Sequence, residues 1–146
     1  MSIVYTIGFQ GKSLAEFIGL LRQYAVDAVI DVRLRNTSQL SGYTKRDDLS
    51  FLLREGFGIS YEHRPELAPT AELMNGYRQA SDWPAYERVF IPLLAERRAE
   101  EIGRELLARY RAPCLLCSEP SADHCHRRLI AEYWNNHLGD IAIVHL

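Results

Sequence analysis

The sequence has no long apolar run, little cysteine and no strong excess of charge of either sign. No stretch approaches the roughly 18 apolar residues that a membrane helix requires, and the amino terminus lacks the basic head and apolar core of a secretory signal. We therefore expect a cytoplasmic protein without a membrane segment. The formal net charge of -2 excludes a uniformly basic nucleic-acid coat, although it is compatible with a local basic patch.

Three cysteines in 146 residues do not suggest the disulfide framework of a small secreted protein. In a reducing compartment, they are expected to be free thiols, metal ligands or catalytic groups. The remaining composition, 47% hydrophobic and 25% charged, is that of one globular domain, which we expect to span residues 1–146. The sequence shows no internal repeat, low-complexity tract or linker.

Apolar strands alternate with amphipathic helices along most of the chain. Strand patterns occupy residues 2–7, 25–32, 57–62, 112–117 and 140–146. Helical patterns occupy residues 14–24, a short stretch closed by Gly56, 84–111 and 127–137, whereas 68–82 gives no clear assignment. Pro92 predicts a kink or a split in the longest helix. This alternation predicts a three-layer α/β fold around a mostly parallel sheet of about five strands.

Polar residues follow the ends of the second and third strands. Asp31 and Arg33 form a charged pair at the carboxyl end of the second strand, where open α/β sheets bind their ligands. A mostly basic loop without periodicity follows to Arg46, and structureless loops of this length are often functional. Lys45 in this loop and Tyr61 in the third strand are candidate contacts for an anion. The alternatives are strand-end hydrogen bonding for the charged pair and simple solvation for the loop.

The densest cluster of chemically active side chains lies where a predicted strand passes through a polar loop into a helix. Its members are three thiols, two imidazoles, one carboxylate and two guanidinium groups: Cys114, Cys117, Glu119, His124, Cys125, His126, Arg127 and Arg128. In an extended strand, Cys114 and Cys117 point to opposite faces, which favours a core position for Cys114. A metal site using Cys117, Cys125 and one histidine stays open, and we assign no metal ligand from the sequence alone.

Cys125 is the candidate nucleophile of this cluster. It lies close to the amino end of the last helix, where exposed amides and the helix dipole stabilise a thiolate, and His126 and Arg127 add to that effect. Glu119 can act as an acid or base, or it can orient a histidine. Arg127 at the helix amino end also suits an anion. The alternative role of Cys125 is that of a small buried residue that seats the helix.

Three motifs together resemble those of the domain of unknown function 488 family. They are Thr6-Ile7-Gly8 after the first strand, Asp31-Val32-Arg33 after the second, and Cys117-Ser118-Glu119 followed by Cys125-His126-Arg127. Tyr61 fits the Ile-x-Tyr strand of that family. The resemblance spans residues 3–145 and implies a compact Rossmann-like α/β fold. It implies no established reaction.

From these patterns we expect an enzyme whose site lies at the carboxyl ends of the strands and whose partner is an anionic small molecule or nucleic acid. The expected anion-binding side chains are Arg33, Lys45, Tyr61 and Arg127. The expected reactive side chains are Cys125, His126 and Glu119. The alternative is a non-catalytic domain that binds nucleic acid or a metabolite and senses metal or redox state. The reaction, any cofactor and the oligomeric state stay open.

Overall fold

The computed structural model describes residues 1–37 and 42–146 and has a three-layer α/β fold. In this part of the chain, the strands are β1 (Ser2–Gly8), β2 (Ala28–Asp31), β3 (Ser60–His63), β4 (Pro113–Cys117) and β5 (Ile141–His145). The α-helices are α1 (Leu14–Gln23), α2 (Arg46–Phe51), α3 (Ala71–Ala80), α4 (Trp83–Glu96), α5 (Ala99–Arg109) and α6 (His126–Leu138). The predicted fold class is confirmed. Residues 38–41 of the predicted loop lie outside the described part.

The strands form one parallel sheet in the order β3-β2-β4-β1-β5. β2 and β4 are buried throughout, which is why their sequences are almost continuously apolar and do not alternate with polar residues. Because the strands run in one direction, their carboxyl ends lie along one edge of the sheet. The polar residues that follow the strands in the sequence therefore meet at this edge.

Helices cover both faces of the sheet. α1 and α2 pack on one face around Phe17 and Leu49, whereas α3 to α6 pack on the other face around Phe90 and Trp134. The neighbouring strands β1 and β4 are followed by helices on opposite faces, an arrangement that opens a crevice at the carboxyl ends of the strands. Among the described residues, no helix combines the length and the apolarity needed to cross a bilayer.

Gly8 lets the loop after β4 approach the end of β1 closely. A Cβ atom at this position would lie 1.5 Å from the carbonyl oxygen of Glu119. Beyond this contact, the amide of Phe9 donates a hydrogen bond to the carbonyl of Cys117 at 3.3 Å. The glycine of the first motif therefore sets the position of the loop that leads to the last cysteine and histidine.

Two details of the helices differ from the sequence prediction. The break in the long helical segment falls at Arg98, whose φ of 55° is left-handed, and Pro92 lies inside α4. Pro92 is exposed, so the carbonyl that it leaves without an amide can bond to water. The unassigned segment 68–82 contains α3, which begins after Thr70, whose hydroxyl accepts from the amide of Leu73 at 3.1 Å. Here a capping residue starts a helix whose apolar pattern is weak.

Candidate functional site

A cavity of about 570 Å³ lies at the carboxyl edge of the sheet, beside the ends of β2 and β4. Small-molecule sites commonly have volumes in this range. Four of the site residues predicted from the sequence line it, namely Arg33, Glu119, Cys125 and His126. The structure therefore brings together one predicted anion-binding residue and the three predicted reactive residues.

One strand end and one helix start bring two thiols and an imidazole together in the cavity wall. Cys117 ends β4, Cys125 directly precedes α6, and His126 is the first residue of α6. Both sulfur atoms and one ring nitrogen lie within 4.8 Å of one another. The Nδ1 atom of His126 is 3.6 Å from the Sγ atom of Cys117. All three side chains are more than nine-tenths buried, and all three line the cavity.

The hydrogen bonds of His126 determine which ring nitrogen carries its proton. Nε2 lies 2.7 Å from the carbonyl oxygen of Val32. Because a carbonyl can only accept, Nε2–H donates, and the neutral ring directs the lone pair of Nδ1 toward Cys117. An edge-to-face contact with Phe90, with ring centroids 5.7 Å apart, further restrains the imidazole. The chain leaving β2 thus orients a side chain of α6.

The two thiols of the cavity wall have opposite pKa shifts. A hydrogen bond from Cys117 lowers the pKa of Cys125 well below its ordinary value against the effect of burial, and the charge of Arg127 adds to this lowering. The same contact, together with burial, raises the pKa of Cys117. Cys125 is therefore the thiol that this arrangement favours as a thiolate. Burial raises the pKa of Cys114, which lies in the opposite core layer, as the alternation along the strand predicted.

Asp31 and Arg33 form a buried ion pair at the end of β2. The Nε and Nη2 atoms of Arg33 donate to the two carboxylate oxygens of Asp31, each at 2.8 Å. The Tyr61 hydroxyl and the Asn36 side-chain amide donate to the same carboxylate. Nη2 of Arg33 also donates to the carbonyl of Thr44 at 2.8 Å. This network joins β2, β3 and the loop before α2.

Electrostatics keep the acid of this network ionised. Burial alone would raise the pKa of Asp31, but the hydrogen bonds and charge of Arg33, with the Tyr61 hydroxyl, hold that pKa below its ordinary value. Burial and the charge of Asp31 raise the pKa of Tyr61. The hydroxyl therefore stays protonated and acts as a donor to the carboxylate.

Three predicted anion-binding residues lie outside the lining of the cavity in the described part of the chain. Tyr61 belongs to the network at the end of β2, and Lys45 is exposed directly before α2. Arg127 is fully buried and donates to the Thr6 hydroxyl at 3.1 Å and to the Glu119 carbonyl at 2.6 Å. Arg127 thus ties the loop after β4 to β1. The ligand-binding roles expected for these three residues stay predictions.

The wall that α3 and α4 contribute to the cavity was not predicted from the sequence. Tyr77 and Arg78 of α3 and Trp83 and Tyr86 of α4 line it. Trp83 stacks on both Tyr86 and His124, with ring centroids 4.7 and 5.2 Å apart, so His124 is held at the cavity as well. Every residue of α3 is at least partly exposed, so the helix leaves only a weak apolar pattern. The density of aromatic residues between positions 77 and 86 was the available signal.

The fold and the site together define a class of protein: an open parallel α/β domain with a thiol–imidazole group beside a cavity at its strand ends. The family model described as "Domain of unknown function DUF488" matches residues 13–134. The chain belongs to this family, which confirms the resemblance inferred from its motifs. No curated protein and no solved structure matches the chain.

Proposed function

We propose that this protein is an enzyme that acts on a small anionic substrate in the cavity at the strand ends. One observation carries the proposal: Cys125, His126 and Glu119 line the same cavity as Arg33 and Arg35. One ligand of ordinary metabolite size can therefore contact reactive and cationic groups at the same time.

The charges of the cavity favour an anion. Among the described residues, its lining holds three arginines, Arg33, Arg35 and Arg78, against one carboxylate, that of Glu119. The charge of Arg33 is balanced by its ion pair with Asp31. The planar donor groups of arginine suit phosphate and carboxylate oxygens.

The aromatic side chains of the lining offer a flat apolar surface to a ligand. The rings of Tyr77 and Tyr86 add an apolar wall. A nucleotide combines the anionic group and the flat apolar part that these surroundings fit.

The opposite wall carries groups suited to attack on an electrophilic centre of the substrate. The attacking group is either the thiolate of Cys125 or a water molecule activated beside it. Glu119 can transfer a proton to or from the reacting atoms, and His126 is held in a fixed orientation. These roles are the ones expected for Cys125, His126 and Glu119 from the sequence.

Turnover on a panel of nucleotides, phosphate monoesters and phosphate diesters tests the proposal. We expect Cys125→Ala and Glu119→Gln to bind the active compound with nearly unchanged affinity and to lose at least about 100-fold in kcat. Cys114→Ala, the same change in a thiol of the opposite core layer, should keep wild-type kcat. Arg78→Gln should raise KM with little change in kcat, because it removes a cavity charge expected to bind the substrate equally in the ground state and the transition state.

The same panel separates the enzyme from the non-catalytic alternative. Wild-type protein that binds a nucleotide in the cavity without converting any compound would favour a binding or regulatory domain. Equal losses of turnover in Cys125→Ala and Cys114→Ala would contradict the assignment of the reactive wall, because only one of these thiols lines the cavity.

A further inference from the structure

We propose that Cys117, Cys125 and His126 form a zinc site whose fourth coordination position opens into the cavity. The three side chains supply two sulfur atoms and one imidazole nitrogen, and their ligand atoms lie within 4.8 Å of one another. This is a mixed sulfur and nitrogen set of the kind that zinc prefers, and it contains none of the oxygen ligands that magnesium and calcium require.

The distance between one sulfur atom and the ring nitrogen matches tetrahedral zinc. Zinc–sulfur bonds of about 2.3 Å and zinc–nitrogen bonds of about 2.0 Å, at the tetrahedral angle, separate sulfur from nitrogen by about 3.5 Å. The distance from Sγ of Cys117 to Nδ1 of His126 is 3.6 Å. This pair therefore needs almost no movement to bind one ion.

The second ring nitrogen of His126 has the partner expected of a metal ligand. Nε2–H donates to the carbonyl oxygen of Val32 at 2.7 Å, which leaves Nδ1 free to coordinate. Histidines that bind metals almost always donate their other N–H to a carbonyl, a carboxylate or water, because this bond fixes the tautomer and the orientation of the ring. The backbone bond thus prepares the imidazole for the same point at which the sulfur atoms meet.

The position of the cluster favours a reactive zinc site over a structural one. Structural sites are closed by four protein ligands, whereas three protein ligands with water or substrate in the fourth position are typical of catalytic zinc. Cys117, Cys125 and His126 all line the cavity, so a fourth ligand can enter from it. Only the catalytic use of the ion rests on the proposed function; binding of the ion does not.

Cobalt binding to reduced, metal-free protein tests the site, because Co²⁺ occupies zinc sites and reports their geometry by absorption. Wild-type protein should bind one Co²⁺ per chain, with the intense visible bands of tetrahedral cobalt and a thiolate charge-transfer band, and Zn²⁺ should displace it. Cys117→Ala and Cys125→Ala should each weaken binding at least about 100-fold, since even loss of a hydrogen bond to a ligand costs 10–100-fold. Cys114→Ala should bind as the wild type does.

A second kind of variant still tests the site if an alanine variant does not fold. His126→Cys replaces the imidazole with a third thiolate and should retain tetrahedral cobalt with a stronger charge-transfer band. Circular dichroism of each variant shows which ones are folded. The proposal is overturned if the wild type binds no Co²⁺ or Zn²⁺, gives only the pale spectrum of octahedral cobalt, or loses binding equally through Cys114→Ala.

Metal content and turnover together distinguish this inference from the proposed function. Stoichiometric zinc binding without turnover of any compound would support the zinc site and contradict the proposed enzymatic function. Turnover that persists after a chelator has removed all metal would support the enzymatic function and contradict a catalytic role of the ion. The Cys125 thiolate would then be the nucleophile.

Discussion

Two neighbouring strands of one sheet end in polar clusters that are completed in different ways. At the end of β2, the carboxylate of Asp31 receives its hydrogen bonds from protein donors, including Arg33 and Tyr61. At the end of β4, Cys117 meets the two residues at the start of α6 in the wall of a cavity. In the first cluster the Asp31 carboxylate is satisfied within the protein, whereas the second cluster can still receive a ligand. Location at the strand ends therefore does not by itself identify a functional group.

The largest expected effect separates the two clusters by stability. Asp31→Asn leaves the Arg33 guanidinium buried without its counter-charge, and breaking a buried ion pair in this way costs about 3–5 kcal/mol. The free energy of unfolding from urea titration measures it. Asp48→Asn, the same change at an exposed position of α2, should cost less than about 1 kcal/mol. A similar loss in both variants would mean that the β2 cluster has no special structural role.

The same ion pair predicts part of the dependence of stability on pH. The pKa of Asp31 is held below its ordinary value in the folded protein, so the unfolded chain binds this proton more readily. The ionised Asp31 carboxylate therefore contributes fully to stability above about pH 4, and this contribution is lost as the pH falls through the pKa of Asp31 in the folded protein. Urea titrations in this acidic range should show a smaller loss of stability in Asp31→Asn than in the wild type. An identical acid slope in both proteins would contradict the assignment.

The fold was predictable because burial imposes simple patterns on the sequence. Strands covered on both faces, such as β2 and β4, must be almost continuously apolar, and their alternation with amphipathic helices predicts a parallel sheet. The same periodicity placed Cys114 and Cys117 on opposite faces, as the two core layers confirm. Because the predicted strands were parallel, their carboxyl ends were expected to lie along one edge of the sheet.

The partners of the motif residues could not be predicted in the same way. Arg33 and Arg127 both belong to motifs and both follow strand or loop ends, but each binds protein acceptors brought near by the fold, namely Thr44 for one and Thr6 for the other. Thr44 lies 11 residues from Arg33 and Thr6 lies 121 residues from Arg127, so no local spacing reveals these contacts. The wall contributed by α3 was not predicted for a related reason. This helix faces a cavity, so it has no fully buried residues and no clear apolar pattern in the sequence.

A smaller loss of stability tests whether Tyr61 belongs only to the β2 cluster. Tyr61→Phe removes one hydrogen bond to an ionised carboxylate that keeps its other donors, which should cost about 1.5–3 kcal/mol in urea titration. Tyr24→Phe, at a partly exposed ring, should cost less than about 0.5 kcal/mol. Cobalt binding should be unchanged in both variants. A Tyr61→Phe variant of normal stability that no longer binds the anionic substrate would instead place this hydroxyl in the ligand site.

The smallest effect on stability is expected at the other strand end, where the loss should depend on a ligand. In metal-free protein, Cys125→Ala removes one small buried group and should cost about 1 kcal/mol or less. Free zinc at 100 times its dissociation constant should stabilise the wild type by about 2.7 kcal/mol, because it binds only the folded chain. The same zinc concentration should stabilise Cys125→Ala, which binds the ion at least about 100-fold more weakly, by no more than about 0.4 kcal/mol. Asp31→Asn should keep the full gain from zinc, since its deficit lies in the other cluster. Thermal unfolding with and without zinc measures these gains in stability. An equal gain in the wild type and Cys125→Ala would contradict the distinction between the end of β2, which stabilises the fold, and the end of β4, which binds a ligand.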